Sequence, residues 1–315
     1  MKNVTLNLTI ILLVLGFIVF SLTFLSDSAH SGQGKIVLKK YSDLKIGFTT
    51  TNFLNVLPVS VENKKKLIDY AAEQGYAWIE LRDPNADLSL AKCKELASYA
   101  KSKGIEVSYA IQKGLLDSDF WETFSRGLAN AAVFEGPKTI RSLGTGSEFT
   151  KDSKKKTWTL EELYKVVKTA NMAGNKAKQL GLQLVVENAM EAIKGDGISG
   201  FGTTEFFANV NTNVGWQFDT ANFFAVARVY TNPPDAKKFL EENIGKLFYI
   251  HLKTSTPEHK VPPVLSDNEL DFNIVFELIQ KNRIPWVAME LPAAKTLEEA
   301  KTNHEKSIKY LKDNY

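Results

Sequence analysis

Short apolar runs alternate with amphipathic segments from residue 44 to the C-terminus. The apolar runs are rich in β-branched and aromatic side chains, which is typical of buried strands. We predict eight strands, at residues 44–50, 77–82, 105–111, 139–143, 182–187, 214–219, 247–253 and 286–291. The intervening segments carry helical periodicity, at residues 64–74, 88–103, 119–134, 159–180, 204–211, 221–229, 235–244, 269–281 and 296–312.

Local signals at the helix ends support these boundaries. Gly75, Gly104 and Gly181 each follow a predicted helix, where a residue in the left-handed conformation commonly ends it. The pairs Thr159/Glu162 and Thr296/Glu299 have the spacing of capping boxes at two helix starts.

Eight strand–helix units imply parallel strands joined by helical crossovers. The length of the region agrees with a (β/α)8 TIM barrel, which has about 250 residues. A doubly wound open sheet is the alternative. That fold more often has a glycine-rich phosphate loop after its first strand, whereas residues 49–53 read TTTNF.

An uncharged apolar run at residues 8–25 precedes the predicted barrel. It follows Lys2, and a small, polar stretch at 26–34 comes after it, so we interpret it as a signal peptide or an uncleaved membrane anchor. We therefore divide the chain into a leader with its linker, 1–34, and a barrel, 41–315. The leader predicts an extracytoplasmic protein, secreted, periplasmic or anchored, which meets the membrane only through this segment.

Composition narrows the chemistry. The 315 residues are 44% hydrophobic and 24% charged, which excludes wholesale disorder and a polytopic membrane protein. A net charge of +3 does not indicate nucleic-acid binding. With one cysteine and four histidines, the chain cannot build a multi-cysteine zinc or iron–sulfur site, so any metal site must use carboxylates.

Liganding side chains occur at the carboxyl ends of four successive strands. Glu187 ends strand five, Asp219 ends strand six, His251 lies in strand seven and Glu290 lies in strand eight. Barrel active sites form at this end of the strands, and unpaired carboxylates brought so close together would repel. We predict that these residues bind one divalent cation, Mn²⁺, Mg²⁺ or Co²⁺, with Zn²⁺ as the alternative.

Four further polar residues are candidates for substrate binding. Glu80 ends strand two, Arg141 lies in strand four, Asn188 follows Glu187 and Lys253 follows His251 by two positions. For Glu80 and Lys253 a structural salt bridge is the alternative, and for Arg141 the alternative is a side chain that points into the barrel wall. Asn188 is also a candidate to orient the metal ligands.

Five short motifs resemble the xylose isomerase-like TIM-barrel superfamily, which holds sugar isomerases and epimerases, inosose dehydratases and AP endonucleases. They are IELRD (79–83), LVVENAM (184–190), GWQFDTAN (215–222), YIHLKTS (249–255) and VAMELP (287–292). The resemblance implies that Glu187, Asp219, His251 and Glu290 are metal ligands. In ketose epimerases of this superfamily the glutamates of strands five and eight also transfer the substrate proton, a role implied here for Glu187 and Glu290.

The chain departs from the epimerase pattern at three positions. Asn222, Tyr249 and Ala189 stand where epimerases often have histidine. Asn222 is therefore included among the candidate substrate-binding residues. The few histidines also argue against AP-endonuclease activity.

We therefore expect a metal-dependent sugar isomerase or epimerase that transfers a proton through a metal-stabilised enediolate. Its predicted partner is a small sugar or sugar derivative. A metal-dependent lyase or hydrolase on the same barrel and a non-catalytic carbohydrate-binding barrel are the alternatives. The loop at 144–156 is interpreted as a solvated surface loop or as a lid.

Overall fold

Eight parallel strands close into a barrel in chain order, and the first strand pairs with the last. The computed structural model describes residues 34–145, 157–189, 191–225, 235–258, 260–267 and 269–315. The closed order confirms the TIM barrel and excludes the open doubly wound sheet. The strands are β1 (Lys45–Thr49), β2 (Trp78–Arg82), β3 (Glu106–Gly114), β4 (Thr139–Leu143), β5 (Gln183–Glu187), β6 (Val214–Asp219), β7 (Leu247–Leu252) and β8 (Trp286–Met289).

Helices follow the strands around the outside of the barrel. They are α1 (Val61–Gln74), α2 (Leu90–Ser102), α3 (Phe120–Ala131), α4 (Leu160–Gln179), α5 (Thr203–Asn209), α6 (Asn222–Ala225), α7 (Ala236–Asn243), α8 (Phe272–Lys281) and α9 (Leu297–Asn314). Short 3₁₀ turns lie at Thr50–Phe53 and Ile244–Lys246. The helix predicted at 221–229 is described only as far as Ala225.

One predicted capping box is confirmed and the other is wrong. The Thr159 side chain accepts from the Glu162 backbone N–H, and the Glu162 carboxylate accepts from the Thr159 backbone in return. Thr296 likewise accepts from the Glu299 N–H, but the Glu299 carboxylate accepts from the Lys295 N–H instead. The second helix therefore has a threonine cap without the reciprocal bond.

The lower part of the barrel interior is apolar. Trp78, Val185, Tyr249 and Ala288 form a buried cluster of their own, separate from the main core. Gly47 makes room for it, because a Cβ at this position would lie 2.5 Å from the Trp78 carbonyl oxygen. Each member stands two positions before a polar residue on the same face of its strand, namely Glu80, Glu187, His251 or Glu290.

The chain just before β1 packs against the barrel. Ile36 and Leu38 are buried in the main core, and the Lys40 N–H donates to the Tyr315 carbonyl at the C-terminus. Residues 1–33, which hold all but the last residue of the predicted leader, and 146–156, which hold most of the predicted lid, lie outside the described residues. Within the described ranges, none of the helices has the length and apolar character that crossing a membrane requires.

Candidate active site

The four predicted metal ligands meet at the carboxyl ends of β5 to β8. One ligand atom from each of Glu187, Asp219, His251 and Glu290 lies within 4.8 Å of every other. Asp219 and His251 are register partners on β6 and β7, so their side chains leave the strands on the same face at the same height. Barrel geometry thus brings together residues that are far apart in the chain.

Glu80 orients the ring of His251 through one of its two ring nitrogens. Nε2 of His251 lies 3.1 Å from Oε2 of Glu80, which also accepts a 2.6 Å hydrogen bond from the Tyr249 hydroxyl. Oε1 of Glu80 accepts from the Thr49 hydroxyl at 2.9 Å. Burial alone would raise the pKa of Glu80, but His251 and Arg141 hold it well below its usual range. Since Glu80 is an ionised acceptor, Nε2 carries the hydrogen of this pair.

The other ring nitrogen faces the ligand cluster. Nδ1 of His251 lies 2.5 Å from Oε2 of Glu290 and 3.9 Å from Oε1 of Glu187. Although Nδ1 and Oε2 are this close, both are buried, and within the described part of the chain neither has a well-directed hydrogen bond. Two electron-rich atoms in such contact need a positive charge between them, either a proton or a cation.

A divalent cation fits this donor set. Three carboxylates and one imidazole are hard or borderline ligands, as Mn²⁺, Mg²⁺, Co²⁺ and Zn²⁺ require. The contact of His251 with Glu80 also matches the carboxylate–histidine–metal arrangement in which an outer acid orients the ligating ring. Glu187, Asp219, His251 and Glu290 are thus suited to hold such an ion.

Lys253 and Arg141 place positive charge beside the acids. Nζ of Lys253 lies 3.3 Å from both Asp219 Oδ2 and Glu290 Oε1. Burial would raise the pKa of Glu290, but Lys253 and His251 hold it far below its ordinary value. Arg141 points into the barrel, where it contacts Glu187 and donates through Nε to Gln217 Oε1 at 3.1 Å.

Asn188 positions Asp219 through the backbone. Its Oδ1 accepts from the Asp219 N–H at 2.9 Å, and its Nδ2 donates to the Asp219 carbonyl at 3.1 Å. The N–H groups of Ala221 and Asn222 donate to Asp219 Oδ1 at 2.9 and 2.8 Å. One carboxylate oxygen is therefore held by the backbone, while Oδ2 faces Lys253.

The predicted substrate-binding residues occupy two levels. Glu80 and Arg141 lie in the buried interior and are paired with protein groups there. Lys253 and Asn222 lie nearer the mouth, where Asn222 Nδ2 reaches Glu187 Oε1 at 3.5 Å. The structure places Asn188 beside Asp219, which agrees with an orienting position.

Sequence reasoning gave no site role to Arg82 or Tyr249. Arg82 is 3% exposed, and its Nη2 lies 4.0 Å from Oε2 of Glu290. The alternation of strand side chains was the available signal, because Arg82 follows Glu80 by two positions and Tyr249 precedes His251 by two.

The family profile described as "Xylose isomerase-like TIM barrel" matches residues 68–314. The chain belongs to the xylose isomerase-like TIM-barrel family. This match covers most of the barrel and all four members of the ligand cluster. No curated protein matches the chain significantly.

Solved structures share the fold of this xylose isomerase-like barrel at low sequence identity. D-allulose 3-epimerase from Methylomonas sp., in complex with D-allulose, has a TM-score of 0.64 and 13% identity, over 86% of this chain and 97% of that one. D-psicose 3-epimerase with D-tagatose, from Clostridium cellulolyticum H10, has a TM-score of 0.60 and 14% identity, over 85% of this chain and 100% of that one. A xylose isomerase-like TIM barrel protein from Mycobacterium smegmatis, in complex with magnesium, has a TM-score of 0.62 and 14% identity, over 86% of this chain and 97% of that one.

Proposed function

We propose that this protein is a divalent-metal-dependent isomerase or epimerase that acts on a sugar or sugar derivative. The observation that carries the proposal is the convergence of Glu187, Asp219, His251 and Glu290 within 4.8 Å at the barrel mouth. Epimerase and isomerase names among the structural neighbours, including complexes with D-allulose and D-tagatose, support the substrate class.

The four clustered residues would hold the cation. When bound, the cation would withdraw electron density from a substrate carbonyl and so lower the pKa of the C–H on the neighbouring carbon. The magnesium complex of a structural neighbour supports a divalent ion. His251 would present Nδ1 to it, because Nε2 is engaged by Glu80.

Glu187 and Glu290 are the proposed proton carriers. They stand on β5 and just after β8, with β6 and β7 between them, so they approach a bound substrate from different sides. Lys253 and His251 hold Glu290 in its ionised form, which a base needs in order to accept a proton. One carboxylate would remove the proton beside the carbonyl, and the other would return a proton on the opposite face.

Arg141 and Lys253 would balance the charge as the protons move. Arg141 contacts Glu187, and Lys253 lies 3.3 Å from Glu290 Oε1. Each cation therefore stabilises the ionised form of one proposed proton carrier.

Solvent exchange tests the proposal. The Mn²⁺-supplemented protein is incubated in D₂O with a panel of ketohexoses and aldoses, and exchange of the C–H beside the carbonyl is followed by NMR together with new sugar products. We expect exchange with at least one sugar, and its loss in Glu187→Gln and Glu290→Gln with the circular dichroism unchanged. Glu122→Gln, on the exposed face of α3, is the matched control. Full exchange in both active-site variants would contradict the proposal.

A further inference from the structure

Arg82 is a largely buried cation whose terminal nitrogens make no hydrogen bond to any described residue. Its Nε donates to the Thr51 hydroxyl at 3.0 Å. Two carboxylates lie farther away than this hydroxyl. Oε1 of Glu80 is 3.9 Å from Nε of Arg82, and Oε2 of Glu290 is 4.0 Å from Nη2. Among the residues that the structure describes, neither Nη1 nor Nη2 of Arg82 makes a hydrogen bond.

The unpartnered donors of Arg82 are available to a ligand. Donors on a side chain that is largely shielded from water favour a ligand that supplies an acceptor. Among the described residues, the fully buried donors without a partner include Nη1 of Arg141 but neither terminal nitrogen of Arg82, so the two Arg82 nitrogens keep some accessible surface. An oxyanion would satisfy the donors of Arg82.

The position of Arg82 restricts where the anionic group lies in a substrate. Arg82 ends β2, on the side of the mouth formed by β1, β2 and β8, and it shares Glu290 as a neighbour with the proposed cation. An anion bound there lies close to the reacting carbons. A carboxylate next to the carbonyl meets this condition, whereas a phosphate at the far end of a sugar chain does not.

We propose that Arg82 binds the carboxylate of a polyhydroxy 2-keto acid, and that the physiological substrate is such a sugar acid and not a neutral sugar. This inference rests on the proposed function, since it assigns a substrate class to the same site. The planar guanidinium suits a bidentate contact with a carboxylate. Arg82 is thus a residue that determines specificity.

Matched ligand pairs test this. 2-Keto-D-gluconate differs from D-fructose, and 2-keto-L-gulonate from L-sorbose, only in having a carboxylate in place of the C1 hydroxymethyl group. Binding to the Mn²⁺-supplemented protein is measured by isothermal titration calorimetry, without turnover. We expect at least one acid to bind about tenfold or more tightly than its neutral partner, as one charge-assisted contact would give. D-fructose 1-phosphate and D-fructose 6-phosphate form a second arm.

Variants separate binding by Arg82 from general effects. Arg82→Gln retains a donor for Thr51 but removes the charge, and it should reduce the acid preference to below about threefold. Arg82→Lys should retain part of the preference. Arg126→Gln, on the outer surface of α3, should leave it unchanged.

Several results would overturn the inference. For the wild-type protein, these are equal binding of the acid and its neutral partner, no binding of either, or tighter binding of a sugar phosphate than of the keto acids. An acid preference that persists in Arg82→Gln would overturn it as well. The wild-type comparison decides the matter even if Arg82→Gln does not fold. If the protein exchanges the C–H of a ketose but binds acid and neutral sugar equally, only this inference is contradicted. If it prefers the acid but exchanges no C–H, only the proposed reaction is contradicted.

Discussion

Nδ2 of Asn52 lies 3.0 Å from Nε2 of His304, and both side chains are buried. The same Nδ2 donates to the Met289 carbonyl at 3.1 Å, and Oδ1 of Asn52 accepts from the Leu291 N–H at 3.0 Å. Asn52 therefore holds the backbone on both sides of Glu290. His304, on α9, in turn supports Asn52 from the outer layer of the barrel.

These bonds settle the protonation of His304. Because Nδ2 of Asn52 is a donor, Nε2 of His304 is an acceptor, and Nδ1–H donates to the Tyr76 hydroxyl at 2.8 Å. Burial lowers the pKa of His304 from 6.5 to about 3, so the folded protein keeps the ring neutral. Aromatic rings of Phe48 and Phe53 pack against it at centroid distances of 5.0 and 4.9 Å.

The lowered pKa of His304 predicts a pH-dependent stability. Between pH 6.5 and about 3 the unfolded chain binds a proton at this residue and the folded chain does not. The stability that the neutral ring contributes is therefore complete above pH 6.5 and falls as the pH drops toward 3. We expect His304→Gln to be less stable than wild type at pH 7.5, with the difference smaller by about 3 kcal/mol at pH 4.5. Urea unfolding across this range measures it, and a difference independent of pH would refute the assignment.

The Tyr249 hydroxyl should strengthen cation binding through Glu80 and His251. Burial raises the pKa of Tyr249 well above its usual value, so its hydroxyl remains a donor to Glu80. We expect Tyr249→Phe to fold normally and to lose about tenfold in Mn²⁺ affinity, as for other outer partners of metal ligands. Calorimetric titration with Mn²⁺ measures this, with Tyr164→Phe, at a position 69% exposed, as the control. Equal affinities for Tyr249→Phe and the control would show that the hydroxyl does not support the site.

Gly47 should tolerate no side chain. A Cβ there would lie 2.5 Å from the Trp78 carbonyl oxygen and 2.6 Å from its indole ring. Because two paired strands fix this backbone, we expect Gly47→Ala to lower the free energy of unfolding by about 1–3 kcal/mol. Gly245→Ala is the control, since a Cβ at Gly245 meets nothing within 4 Å. Equal denaturation midpoints for the two variants would contradict the close approach of β1 to Trp78.

Periodic features made much of the barrel predictable. Apolar runs of strand length recur between amphipathic segments, and glycine or capping residues mark many of the boundaries. Glu187, Asp219, His251 and Glu290 could be grouped because each stands at the carboxyl end of a strand. The parallel order of neighbouring strands then brings those ends together.

Contacts across the barrel were not predictable in this way. The bond of Tyr249 to Glu80 joins β7 to β2, and it depends on the strand tilt and on which side chains fill the interior. The contact between Asn52 and His304 joins a turn to a helix 252 positions away, and no local pattern marks either residue. The Glu299 carboxylate shows the same limit at short range, because the spacing of a capping box was present but the carboxylate accepts from the Lys295 N–H instead.

Direct titration with Mn²⁺ tests most directly whether the four clustered side chains hold a cation. Isothermal titration calorimetry on the purified full chain should show a single site. Its affinity should fall by more than about 100-fold in Asp219→Asn and remain unchanged in Asp313→Asn, on the exposed end of α9. A wild-type protein that binds no divalent ion, or an Asp219→Asn variant that binds it as tightly as wild type, would contradict the proposed metal centre.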